Sequence, residues 1–300
     1  MDKKLLDQLS CQSAQYSAYE SNEIITWCGG CGNYSIQNAL KRALVLEGFP
    51  PHKVLMCFDI GCNGNGSDKI EGYTIHGLHG RVLPLAGACS IVNPSLKVIA
   101  SAGDGATLSE GINHMIHTIR SNYNFLFLHH DNQNYALTTG QPSSTSPKGC
   151  QMNAAPEGVL LDPINALQLV LSSDPSFVAQ VVSADIDMMT EIFREALHHK
   201  GLSFINILQS CPTYNKGVTD SWYLDRLLPV KEIKDYNAKD IWDARHIVEE
   251  KKDKIPVGIL YHNSNRKSFN DLFEYRKSFK TNLTQEVAHV DIGSFLKELK

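Results

Sequence analysis

Two short stretches carry oxygen ligands whose types belong together. Gly103-Asp104-Gly105 offers a carboxylate between two glycines, and Asp131-Asn132-Gln133-Asn134 offers amide oxygens and a turn of backbone carbonyls. Asp104, Asn132 and a backbone carbonyl of the second stretch make a hard, oxygen-only set. Such a set suits Mg²⁺, which keeps few protein ligands and takes the rest from water and bound phosphates. Sulfur is the second chemistry. Cys28 and Cys31 form a C-x-x-C in W-C-G-G-C-G-N-Y, which admits half a zinc site, a redox pair or part of an iron–sulfur site. A redox pair normally opens a helix directly after a strand, and no strand is expected before Cys28. Zinc would want a second close pair, whereas Cys57, Cys89 and Cys150 are isolated; with Cys11 they read as small hydrophobes or plain thiols. His76 and His79 lie in a glycine-rich stretch that cannot present a helical ligand face, so His79 is expected to donate to a phosphate or to backbone.

The elements that must position these groups follow from hydrophobic patterning. Leu96–Ala102 is a short, apolar, β-branched run, as expected of a parallel strand buried on both faces. Thr107–Arg120 places Leu108, Ile112, Met115, Ile116 and Ile119 on one helical stripe, and Phe125–His129 is a second buried strand. Strand, Gly-Asp-Gly, helix, strand and Asx-rich loop form one βαβ unit. Its right-handed crossover brings Asp104 and Asn132 to the carboxyl edge of the sheet, where open α/β sheets bind ligands. The helix starting near Thr107 adds free N–H groups for an anion. Further strands are expected at Val54–Ile60, Phe177–Ser183 and Ser203–Leu208, with helices at Ile36–Leu46 (capped by Asn33 or Ser35), Val82–Val92, Ala166–Leu171 and Asp185–Lys200. Cys62 and Cys211 each fall just past an expected strand end, and Cys31 lies in a loop beside that same edge, so four thiols, Cys28 included, can converge near the oxygen ligands. The Ser-, Thr- and Pro-rich loop Pro142–Gln151 is expected to lie over the edge of the site.

Composition narrows the classes. The chain has 300 residues, enough for one large α/β domain or two small ones, and a net charge of −4 leaves no basic footprint for nucleic acid or an anionic membrane. The start M-D-K-K-L-L lacks a signal-peptide apolar core, and the uncharged run Val82–Leu96 is too short to span a bilayer, so a soluble, cytoplasmic chain is expected. Eight cysteines are too few for a disulfide scaffold at this length. Residues 1–26 read as an N-terminal arm, 27–219 as the binding domain, and 220–300, of mixed charge, as a C-terminal extension over the core or a neighbouring subunit, a subunit-contact region.

The spacing from Gly-Asp-Gly to Asn132 resembles the diphosphate motif of thiamine diphosphate enzymes. In order, W-C-G-G-C-G-N, D-I-G-C, H-G-L-H-G-R, G-D-G, D-N-Q-N-Y-A-L-T-T-G-Q and C-P-T-Y-N resemble the β subunit of 2-oxoacid:ferredoxin oxidoreductases, over Trp27 to Asn215. The resemblance implies the α/β thiamine diphosphate-binding fold, a mostly parallel sheet with helices on both faces. It also implies oxidative decarboxylation of a 2-oxo acid to acyl-coenzyme A and CO₂, with electrons passing through a [4Fe–4S] cluster to ferredoxin. By motif, Cys28, Cys31, Cys62 and Cys211 hold the cluster, and Asp104, Asn132 and the Asn134 carbonyl hold Mg²⁺. Ile60, Gly61, Cys62, Asn63, His79, Gly105, Ala106, Ala136 and Leu137 line the cofactor. The glutamate that activates the aminopyrimidine is expected on a partner α chain, so this chain contributes no catalytic side chain of its own and alone is inactive.

Three positions depart from the family pattern. Ala106 replaces a second acid after Gly-Asp-Gly, Asp131 stands where Asn is usual, and Asn65 occupies a place that is often basic in members accepting 2-oxoglutarate. A charged site group discriminates far more strongly than apolar fit, so pyruvate or a longer 2-oxo acid stays open beside 2-oxoglutarate. Two other classes compete: a non-catalytic electron-transfer or assembly subunit, with Ala106 marking a decayed pocket, and a structural zinc protein.

Overall fold

The apolar runs become the middle of one sheet. In the computed structural model, which describes residues 16–250, 253–279, 281–286 and 292–298, β1 (Val54–Phe58), β3 (Lys97–Gly103), β4 (Phe125–Asp131), β5 (Phe177–Val182) and β6 (Leu202–Leu208) are almost wholly buried. With β2 (Tyr73–His76), β7 (Leu227–Pro229) and β8 (Ile255–His262) they form an eight-stranded sheet of order β2-β1-β3-β4-β6-β5-β8-β7. All pairings are parallel except β5 with β8. Cys11 and most of the expected arm lie outside the described residues.

Strand alternation divides the core in two. Leu55, Cys57, Val98, Ala100, Phe125 and Phe127 face one way, under α2 (Val82–Val92), α3 (Ile112–Ser121), α4 (Ala166–Ser172) and α7 (Ile241–Glu249). Val54, Met56, Phe58, Ile99, Leu126 and Leu128 face the other way, under α1 (Gly32–Leu46) and α5 (Ile186–His198). A short α6 (Asp220–Leu224) leads from the core into β7.

Several boundaries differ from the sequence-based expectation. The single helix expected from Thr107 is two pieces: a π-helical turn over Gly105–Glu110, then α3 after Gly111. A Cβ at Gly111 would stand 2.6 Å from the Gly80 carbonyl oxygen, so the break lets the chain pass close to the loop before α2. α1 begins at Gly32, four residues early, with Cys31 at its cap position, so neither Asn33 nor Ser35 caps it. β2 is an edge strand that the polar run Y-T-I-H concealed. Residues after 220 enter the sheet itself, since β8 pairs with β5, and the division expected at 219/220 crosses one continuous sheet. Among the described residues no helix is long and apolar enough to cross a membrane.

Candidate functional site

β1, β3, β4 and β6 are adjacent and parallel, so the loops leaving their carboxyl ends stand side by side. Backbone bonds carry the ladder one step past the strands: Asp59 N–H donates to Ser101 O, and Gln209 N–H donates to Asp131 O, both at 2.9 Å. A cleft of about 580 Å³, counting space open to solvent, lies over this edge. Asp104, Asn132 and Asn134 line it with Ile60, Gly61, Cys62, Asn63, His79, Gly105, Ala106, Ala136 and Leu137. The structure therefore brings together every residue expected to touch the cofactor or its metal.

Asp104 is fully buried. Its Oδ2 accepts from the hydroxyls of Ser143 and Thr145, the latter at 2.6 Å. Thr145 Oγ1 also lies 2.8 Å from Asp131 Oδ1. A hydroxyl has one hydrogen, so Thr145 serves one of the two carboxylates at a time. Burial pushes both carboxyls up, and the charge of Asp131 adds to the rise at Asp104. Both hydroxyls take Oδ2, which leaves Oδ1 for the cleft. Asn132 Oδ1 accepts from Asn134 N–H at 3.1 Å, an Asx turn that fixes the loop, while Asn134 Oδ1 is buried without a partner. Oxygens that are buried and under-used suit a cation. Ser143 and Thr145 had no sequence signal, beyond the expectation that their loop covers the site.

His79 does not donate to backbone: its Nδ1 lies 3.0 Å from Asp59 Oδ1. Asp59, missed in the sequence, is wholly buried and accepts from Gly80 N–H and Val82 N–H, so one carboxylate caps α2 and orients the imidazole. His76 stays at the end of β2 with Nδ1 3.5 Å from Ser67 Oγ. A Cβ at Gly105 would overlap the Tyr135 ring, whose hydroxyl donates to Gly105 O at 3.3 Å.

Cys28, Cys31, Cys62 and Cys211 line a second cavity, of about 650 Å³ counting open space. Burial, and then the neighbouring thiols, push Cys62 up to about 12 and Cys31 in the same direction. Four thiols gathered in one cavity suit a thiophilic metal centre between them. Trp27 Nε1–H donates to Cys62 O at 2.6 Å and ties the C-x-x-C loop to the loop after β1. Cys62, Asn132, Ala136, Leu137 and Gln209 line both cavities, so the two share a wall. Cys57 and Cys89 lie elsewhere, packed against each other in the core. Among the described residues no three His, Cys, Asp or Glu side chains close on a single metal ion. Neither set here is of that kind: the oxygen set has one carboxylate, and a four-iron cluster takes one thiolate per iron, spread round a cube.

The sheet and its cleft define a thiamine diphosphate-binding fold, and residues 59–207 match the family model described as thiamine pyrophosphate enzyme, C-terminal TPP binding domain. Residues 211–278 match the model for the C-terminal part of the pyruvate ferredoxin oxidoreductase beta subunit. The chain is 32% identical over 265 residues to the 2-oxoacid:ferredoxin oxidoreductase 2 subunit beta of Aeropyrum pernix, covering 85% of this chain and 86% of that one. It is 35% identical over 248 residues to the 2-oxoacid:ferredoxin oxidoreductase subunit beta of Saccharolobus solfataricus, covering 79% and 81%. A 2-oxoglutarate:ferredoxin oxidoreductase from Magnetococcus marinus, solved with 2-oxoglutarate, coenzyme A and succinyl-CoA bound, superposes with a TM-score of 0.84 at 30% identity, covering 95% and 96%. The chain belongs to the β-subunit family of the 2-oxoacid:ferredoxin oxidoreductases, and is a subunit of an oxidoreductase enzyme.

Proposed function

We propose that this β subunit, joined to an α chain, carries out coenzyme A-dependent oxidative decarboxylation of a 2-oxo acid and passes the electrons to ferredoxin. The observation that carries the reading is the shared wall: a cleft of diphosphate-binding type and a four-thiol cavity have five residues in common. Asp104, Asn132 and the Asn134 carbonyl would hold Mg²⁺ against the diphosphate. Ile60–Asn63, His79, Gly105-Ala106 and Ala136-Leu137 would line thiamine diphosphate. Cys28, Cys31, Cys62 and Cys211 would hold a [4Fe–4S] cluster. When bound, the thiazolium supplies carbanion stabilisation and the cluster accepts single electrons.

This chain's own side chains bind, orient and insulate. Ser143 and Thr145 hold Asp104 in place, and Asp59 aims the His79 ring at the cleft. Leu78, Leu160 and Leu161 are 76%, 82% and 78% exposed, apolar surface that fits docking of an α chain. Asn65 lines the thiol cavity without a charge, so 2-oxoglutarate, pyruvate and longer 2-oxo acids all stay candidate substrates. The test is an anaerobic panel on the αβ complex: 2-oxo acid with coenzyme A should bleach the visible iron–sulfur absorbance for one acid above the rest. No bleaching by any of them, in protein containing iron and acid-labile sulfide, would overturn the assignment.

A further inference from the structure

Gln209 is the first residue past β6, stands in the wall between the cavities, and its amide meets a group on each side. Oε1 lies 3.1 Å from His130 Nδ1, and Nε2 lies 3.7 Å from Cys31 Sγ. A ligand thiolate has no hydrogen to give, so the amide presents its NH₂ to Cys31 and its Oε1 to His130. His130 Nδ1 faces two side-chain carbonyl oxygens, those of Gln209 and Asn33, each at 3.1 Å. Two acceptors at one ring nitrogen place the hydrogen there, so Nε2 accepts from the Ser101 hydroxyl at 3.0 Å. This tautomer agrees with Gln209 Oε1 as acceptor and its NH₂ toward Cys31. The opposite orientation would set a carbonyl oxygen against a thiolate, with nothing to donate.

We propose that Gln209 donates an N–H···S hydrogen bond to the Cys31 ligand sulfur and so raises the reduction potential of the cluster. The proposal rests on the assignment of a [4Fe–4S] cluster to the four thiols. One-electron reduction adds one negative charge, shared over the ligand and bridging sulfurs; the electron arrives from the bound substrate and leaves to ferredoxin. A donor aimed at a ligand sulfur stabilises the more negative state and shifts the couple upward. Local packing guards this contact. A Cβ on Gly32, next to Cys31, would stand 2.7 Å from Gln209 Cγ and 2.6 Å from Ser183 Oγ, so only glycine leaves the amide its place.

The experiment is a redox titration of the αβ holoenzyme followed by electron paramagnetic resonance. Gln209→Met, which keeps the length and removes the donor, should move the midpoint potential to a more negative value at unchanged iron and sulfide content. Gln209→Glu, which puts a carboxylate in the donor's place, should move it further. In the unsubstituted holoenzyme, glutamine labelled with ¹⁵N at the side-chain amide should give a hyperfine coupling to the reduced cluster. This decides the matter even where a variant fails to assemble. An unchanged potential in Gln209→Met, or no ¹⁵N coupling in the unsubstituted protein, overturns the proposal and leaves the cluster standing. Absence of iron and acid-labile sulfide from the unsubstituted holoenzyme overturns the cluster assignment itself and this proposal with it.

Discussion

Thr145 divides a single hydrogen between two buried carboxyls, and that makes it the residue whose loss is most informative. Thr145→Val keeps the shape and removes the bridge. It should destabilise the chain by about 1–3 kcal/mol, the cost of leaving a buried polar partner unserved. It should also weaken binding of thiamine diphosphate with Mg²⁺ to the αβ complex. Thermal melts and calorimetry check the two effects separately; normal affinity in the variant would show that Ser143 alone sets Asp104. Little of this was legible in the chain. Asp104 and Asn132 announce themselves by type and by the strand ends that precede them. Thr145 reaches Asp104 from 41 residues away, and a serine- and threonine-rich loop gives no sign of which hydroxyl will turn inward. Asp59 was equally hidden, because the expected strand Val54–Ile60 ran through it, and its role shows only when the helix whose N–H groups it accepts is in place.

At the level of elements, legibility followed burial. Strands covered on both faces wrote continuous apolar runs, and β1, β3, β4, β5 and β6 fall within two residues of their expected ends. The edge strand β2 is mostly exposed and left no such run. The π-helical turn was invisible because Leu108, Met115 and Ile119 still share one stripe across the break. The junction of α5, β5 and α3 gives a pH prediction. Ser176 Oγ–H donates to Asn122 Oδ1 at 2.6 Å, so His199 Nε2–H, 2.8 Å away, donates to Ser176. Burial pushes His199 down to about 4, aided by His262 and Lys97. The unfolded chain, with an ordinary histidine, binds the proton first, so stability is present above about pH 6.5 and is lost as pH falls toward 4, by about 3 kcal/mol. In denaturant titrations His199→Gln should be less stable at pH 7 and show a shallower fall between pH 6.5 and 4. An unaltered slope would assign the acid sensitivity to other groups.

At the scale of the molecule, the sheet is finished by the residues after 220. Val257, Leu260 and Tyr261 of β8 are buried, and β8 covers the edge of β5. A chain ending at 219 would bare that edge and the apolar faces beside it, a template for pairing with other chains. It should be recovered as aggregates by light scattering; a soluble monomer with a cooperative melt would show that the core closes without β8. The exposed Leu160 and Leu161 make the opposite test, since both side chains lie mostly in solvent. Leu160→Asp with Leu161→Asp should leave the melting temperature within a degree or two, yet abolish copurification of the α chain. Retained copurification would move the docking face elsewhere, for example onto residues 220–300.

Cys28 sits exposed on its Gly-Gly loop, while Cys211 is buried. As ligands of the proposed cluster they would be unequal toward dissolved oxygen, which would reach the surface corner first. Corrosion of the proposed iron–sulfur cluster would start at Cys28, and whatever chain settles over Trp27–Gly30 would set how long it survives in air.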